Sequence, residues 1–129
     1  MAEALLLKEE KSNSDDIASG AKGEERQQPE SWLFCRYCGH RIVPAEAAME
    51  VNGSHHHTFF NPAGIVFEIR CFSSAGGCIV TGEASREFTW FAGFSWRIAL
   101  CSACLAHMGW YFGSGESSFF GLISTNLSI

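Results

Sequence analysis

Cys35-Arg36-Tyr37-Cys38-Gly39, answered by Cys101-Ser102-Ala103-Cys104, decides the reading of this chain. Two intervening residues let a tight turn aim both thiolates of a pair at one point, and two pairs complete a tetrahedron of sulfur. Such an S₄ shell suits zinc, with bonds of about 2.3 Å. Four thiolates fill the shell and leave no place for water, so the ion is expected to be structural. Cys35, Cys38, Cys101 and Cys104 are therefore the expected ligands of one Zn²⁺. Gly39, directly after the first pair, permits the backbone twist that a metal knuckle needs. A redox motif is the competing reading of C-x-x-C, but two pairs in one chain favour the metal.

The stretch 39–100 between the pairs is longer than the roughly 15–20 residues of simple zinc sites. A sheet is therefore expected between the knuckles, with the ion closing a long loop. Glycines and small polar residues punctuate short runs rich in β-branched and aromatic residues. These are 58–60, 65–72, 78–81, 88–91, 94–101, 109–112 and 118–124. In the second run Ile65, Phe67, Ile69 and Cys71 alternate with Val66, Glu68, Arg70 and Phe72, the period-2 pattern of a strand. One short helical turn is expected over Ala45–Met49. The pattern as a whole predicts an all-β, antiparallel architecture.

The chain has 129 residues and a formal net charge of −5. Every aromatic and cysteine residue lies after Glu30, whereas 1–30 carries eight acids against four bases. A charged segment without aromatics cannot bury enough apolar surface to offset its ordering entropy. We expect 1–30 to be a disordered acidic tail and 31–129 to be the folded domain, of a size that often needs a staple. No basic run exists to meet phosphates, so nucleic acid is not an expected partner. Ala4–Leu7 is too short and too acidic in its approach for a secretion signal. No stretch reaches the ~18 apolar residues of a membrane span. A cytosolic protein is expected, where thiols stay reduced.

Cys71 and Cys78 lack the paired spacing and read as buried free thiols. The triplet His55-His56-His57 reads as a solvated loop, because neighbours on an extended chain point to opposite faces. His40 and His107 follow the knuckles closely and read as residues that orient or pack them. Trp90, Trp96 and Trp110 fall in three strand-like segments beside the second knuckle. Indoles are seldom fully buried and their N–H groups need partners. Ala92-Gly93 invites a turn that would set Trp90 and Trp96 on neighbouring strands.

Certain motifs are more specific than the cysteine pairs. They are Asn61-Pro62-Ala63-Gly64, Trp90-Phe91-Ala92-Gly93-Phe94-Ser95-Trp96, Ile98 to Cys104, His107-Met108-Gly109-Trp110 and Phe120-Gly121-Leu122-Ile123. In this order and spacing, from Phe34 onward, the chain resembles the CULT domain, the thalidomide-binding domain of cereblon. It is most similar to the short free-standing bacterial members. The resemblance implies a β-tent fold, two antiparallel sheets meeting at a steep angle with zinc near the junction. It further implies a ligand cage with Trp90, Trp96 and Trp110 as walls and Phe112 as floor. Asn61 and Pro62 match the loop that closes over the ligand. The Phe88 main-chain carbonyl takes the place that accepts an imide N–H, and the Trp90 main-chain N–H the place that donates to a ring carbonyl. The implied ligand is a cyclic imide of the glutarimide type or a uracil-like ring, including imides formed at protein C-termini by cyclised Asn or Gln. Phe88 stands where vertebrate cereblon has a histidine, and Phe112 lacks the hydroxyl of some bacterial relatives.

A binding module is thus expected, not an enzyme. Thirty residues of tail could not supply cereblon's ligase-binding region, so no ligase adaptor is expected as a partner. A methionine sulfoxide reductase, another fold with two C-x-x-C zinc pairs, needs a reactive cysteine near its end, and none follows Cys104. A cage for methylated ammonium groups is the other rival, since indoles attract cations. Glu87 would be its carboxylate, although on a strand its side chain would point away from that of Phe88.

Overall fold

A computed structural model describes residues 31–129. The acidic segment 1–30, expected to be a disordered tail, lies outside the described residues. In chain order the strands are β1 (Trp32–Cys35), β2 (Arg41–Pro44), β3 (His56–Phe60), β4 (Val66–Phe72), β5 (Cys78–Ser85), β6 (Ser95–Cys101), β7 (His107–Gly113), β8 (Ser118–Ile123) and β9 (Leu127–Ser128). They form a three-stranded sheet, β9-β1-β2, and a six-stranded sheet, β3-β4-β8-β7-β6-β5. Every pairing is antiparallel. Single 3₁₀ turns at Ala45–Ala47 and Ser124–Asn126 are the only helical pieces among the described residues. No helix there is long and apolar enough to cross a membrane.

The all-β expectation holds, and six of the seven expected runs are strands of the large sheet. The exception is 88–91, which is turn and bend rather than strand. Pairing of β5 with β6 slips between Thr81 and Ser85, and the chain then leaves the sheet. Phe88 follows at φ +57, a left-handed conformation that no strand accommodates. The small sheet is the second of the two antiparallel sheets that the resemblance implies, but the residue pattern did not mark its strands. Its strands are four, four and two residues long, too short for alternation to stand out.

The large sheet buries both faces. On one side Phe72, Leu122, Met108 and Cys101 meet Leu33, Ile42, Val43 and Leu127 of the small sheet. On the other, Ile69, Cys71, Phe91, Phe112, Phe119 and Ile123 form an aromatic-rich cluster that reaches Trp90, Trp96 and Trp110. Strand alternation assigns these sides, since Ile69 and Cys71 face one way and Phe72 the other. An irregularity in β6–β7 pairing opposes Ala99 to Gly109 and Leu100 to His107, leaving Met108 over. That bulge sends Met108 to the inter-sheet cluster while Trp110 and Phe112 face the aromatic one.

The histidine triplet is not a solvated loop. His56 and His57 open β3, and His55 and His57 are half-buried. His57 Nε2 donates at 3.0 Å to the carbonyls of Val51 and Ser54. His55 Nδ1 donates to the Met49 carbonyl, and its Nε2 accepts from Arg70 Nε. These imidazoles tie β3 to the main-chain carbonyls of Met49, Val51 and Ser54 before it.

Gly77 fixes how the sheets approach. Its N–H donates to the Ile42 carbonyl of β2, and its carbonyl accepts from Ser102 of the second knuckle. A Cβ here would lie 1.9 Å from the Arg41 carbonyl oxygen, a backbone atom that cannot swing aside. Gly77→Ala is expected to lower stability by about 2–4 kcal/mol, the range of overpacked core sites and lost buried hydrogen bonds. Urea unfolding of the metal-loaded protein measures it.

Candidate functional site

The two cysteine pairs come from different sheets. Cys35 ends β1 and Cys101 ends β6, and each strand runs into a knuckle of the same build. Cys35 N–H donates to His40 O and Gly39 N–H to Cys35 O, both at 2.8 Å. Cys101 N–H donates to Ala106 O and Leu105 N–H to Cys101 O, again at 2.8 Å. Gly39 and Leu105 occupy equivalent left-handed positions, at φ +82 and +66. The knuckles bring all four sulfurs within 4.8 Å of one another. Cys35 Sγ and Cys104 Sγ are 3.6 Å apart, and Cys38 Sγ and Cys101 Sγ 3.7 Å. A regular tetrahedron with bonds of about 2.3 Å has edges of about 3.8 Å. The four cysteines therefore fit one metal ion.

Supporting groups surround the cluster. Ala103 N–H donates to Cys101 Sγ at 3.4 Å. His40 Nε2 lies 3.0 Å from the Ser102 hydroxyl, tying one knuckle to the other. Cys71 and Cys78 stay outside the cluster. Burial pushes the Cys71 thiol up to about 11. Burial, with the charges of Cys101 and Cys35 adding to it, pushes Cys78 up to about 12. Both are protonated near neutral pH and are poor ligands or nucleophiles.

Leu105 is more than half exposed in a conformation that suits glycine. Leu105→Gly is expected to raise stability by up to about 1 kcal/mol, as relief of left-handed strain outweighs the added freedom of the unfolded chain. A higher urea midpoint of the metal-loaded variant is the expected reading. Gly39→Leu would move it the other way.

A cavity of about 590 Å³ opens beside the aromatic cluster. Asn61, Pro62, Phe88, Trp90, Trp96, Trp110 and Phe112 all line it, together with Phe67, Ser85, Glu87, Ile98 and His107. Register explains the wall built by β6 and β7. Trp96 opposes Phe112 and Ile98 opposes Trp110, so all four side chains share one face of the sheet. Phe112 is 1% exposed and packs on Phe91 at 4.8 Å, a rigid base.

Trp90 comes from the loop after β5. Its ring meets Trp110 edge-on at 4.8 Å and stacks on Phe59 at 4.9 Å. Its Nε1–H donates to the Phe60 carbonyl at 2.9 Å. Trp96 has no ring contact with Trp90 or Trp110, and its Nε1–H donates to the Glu87 carbonyl at 2.8 Å, pinning the Glu87–Phe88 turn. Among the described residues neither the Phe88 carbonyl nor the Trp90 main-chain N–H has a hydrogen-bond partner. Asn61 is occupied locally, its Oδ1 accepting from Ile65 N–H across the β3–β4 turn.

No family model matches the chain. It is 35% identical over 111 residues to protein cereblon of Drosophila erecta, an alignment covering 78% of this chain and 18% of that protein. Cereblon of Drosophila melanogaster gives 34% over the same length, as does that of Drosophila mojavensis, of which 16% is covered. The chain carries a cereblon-type CULT domain. It spans less than a fifth of the length of these curated relatives.

Several residues of the CULT cavity escaped the sequence reading. Ile98 could have been found, since it lies two positions from Trp96 on one strand. Phe67 also sits on the apolar side of a visible alternation. His107 was read as a knuckle residue, yet it lines the cavity and meets Trp110 edge-on at 4.8 Å. Burial holds its imidazole below the ordinary range, against the opposing pull of its bond to the Gly109 carbonyl. It is therefore neutral near pH 7, with Nε2–H donating to that carbonyl at 3.0 Å. Glu87 lines the cavity alongside Phe88. The expectation of opposed side chains assumed a strand, and here the chain turns.

Proposed function

We propose that this CULT domain is a binding module that holds a cyclic imide, of the glutarimide type or at a cyclised C-terminal Asn or Gln, or a uracil-like ring. The observation that carries the reading is the free Phe88 carbonyl and free Trp90 N–H beside the three indoles. An imide is a flat donor flanked by two acceptors, so its N–H can donate to Phe88 O while one carbonyl accepts from Trp90 N–H. Indole walls exclude water and strengthen both bonds. Ring, floor and main chain bind; none is a nucleophile, and no turnover is assigned.

Zinc is the proposed ion of the Cys35–Cys38–Cys101–Cys104 cluster. Thiolate-only ligation selects it, and a filled shell gives it a structural role. Titration with thalidomide or uridine, followed by tryptophan fluorescence, tests the module. Saturable quenching or a spectral shift is expected, because Trp90, Trp96 and Trp110 all border the ligand. Unchanged emission at millimolar ligand rejects the reading.

Glu87 at the cavity favours one second reading, a methylated ammonium held by cation–π attraction. Competition separates the two: a trimethyl-lysine peptide that displaces thalidomide at micromolar concentration would favour the cation.

A further inference from the structure

Phe88 carries two costs at one position. It holds φ +57, where a residue with a Cβ is strained and glycine is the default. It also leaves a large apolar side chain 72% exposed. The turn is fixed beside it: Glu87 N–H donates to Ser85 Oγ at 3.1 Å, and Glu87 O accepts from Trp96. The ring is thus held out by its neighbours. It lines the cavity, yet the ring contacts of the cavity wall, which join Phe59, Phe67, Trp90, Trp110 and His107, do not include it. An aromatic face at the mouth of a binding cavity therefore stands without a ring partner. Strain kept at such a place points to a task for the side chain.

We propose that the Phe88 ring is a selectivity element that packs against an apolar or planar substituent attached to the imide ring. Its main-chain carbonyl would meet the imide itself, while the ring reads what the imide is attached to. Substituted imides, including one that ends a polypeptide after an apolar residue, are favoured over the bare ring. The inference rests on the imide reading above.

Calorimetric titration of the 129-residue chain with thalidomide and with unsubstituted glutarimide tests it in wild type, Phe88→Gly and Phe88→Tyr. Glycine takes the left-handed conformation without strain, so Phe88→Gly is expected to unfold at an equal or higher urea concentration. The thalidomide-to-glutarimide affinity ratio is expected to fall about three- to tenfold in Phe88→Gly, the loss of one aromatic packing contact, and to be kept in Phe88→Tyr. A ratio within twofold of wild type in Phe88→Gly overturns the proposal. So does a ratio lost equally in Phe88→Tyr. Failure of the wild type to bind either imide overturns the imide reading itself, and the selectivity with it.

Discussion

Removal of the metal with a strong chelator is expected to unfold the domain in one cooperative step. The four sulfurs converge from two sheets, which otherwise meet through an apolar cluster, the Gly77 contacts and the hydrogen bonds that Ala47 and Met49 make with Ser73 and Cys71. Structural zinc is worth about 10–16 kcal/mol in small peptides, as much as the whole stability of an ordinary domain, about 5–15 kcal/mol. Loss of the native circular dichroism and a red shift of tryptophan emission are expected together, and zinc should restore both. Cys101→Ser is expected to give the same unfolded chain, whereas Cys71→Ala, outside the cluster, should fold with a deficit of about 1–2 kcal/mol. A chelated protein that keeps its thermal midpoint would show that the sheets hold without the ion.

Trp96→Ala and Trp90→Ala are expected to fail differently. Trp96 makes no ring contact with the other two indoles, and its one hydrogen bond pins the Glu87–Phe88 turn. Its loss should weaken cyclic-imide binding by at least about 2 kcal/mol, some 30-fold, with a small change in unfolding midpoint. Trp90 stacks on Phe59, meets Trp110 and ties its loop to Phe60. Trp90→Ala should therefore abolish binding and also lower stability by about 3–5 kcal/mol, as large-to-small changes among packed rings do. Calorimetry and urea denaturation on both variants separate these effects. Equal affinity for wild type and Trp96→Ala would remove that indole from the site.

Local sequence carried the knuckles and most of the large sheet because both are local signals. A C-x-x-C pair and a period-2 run each declare themselves within a few residues. Gly39 at φ +82 follows from the same logic, but its counterpart Leu105 does not, since leucine carries no mark of a left-handed site. The strands of the small sheet stayed unmarked in the residue pattern for the opposite reason, although the resemblance implied a second sheet. Phe34–Cys35 pair with Leu127–Ser128 across most of the domain, and no window along the chain contains both partners. The run 88–91 was misread as strand because Phe88, Trp90 and Phe91 have strand-like propensity, while a local hydrogen bond to Ser85 and tertiary ones to Phe60 and Trp96 decide the shape of its loop. His107 shows how proximity in sequence misleads: three residues from Cys104, it lies against the cavity.

The pairing of β1 with β9 also orders events in time. Trp32–Cys35 are made early, but their partner strand and the second cysteine pair come late, Cys101 standing 63 positions after Cys38. During synthesis the first knuckle must wait as open thiols until nearly all of the domain has left the ribosome. Contacts so far apart along the chain form slowly. Zinc arriving early meets half a site, and the nascent chain is exposed to oxidation and misligation throughout that delay.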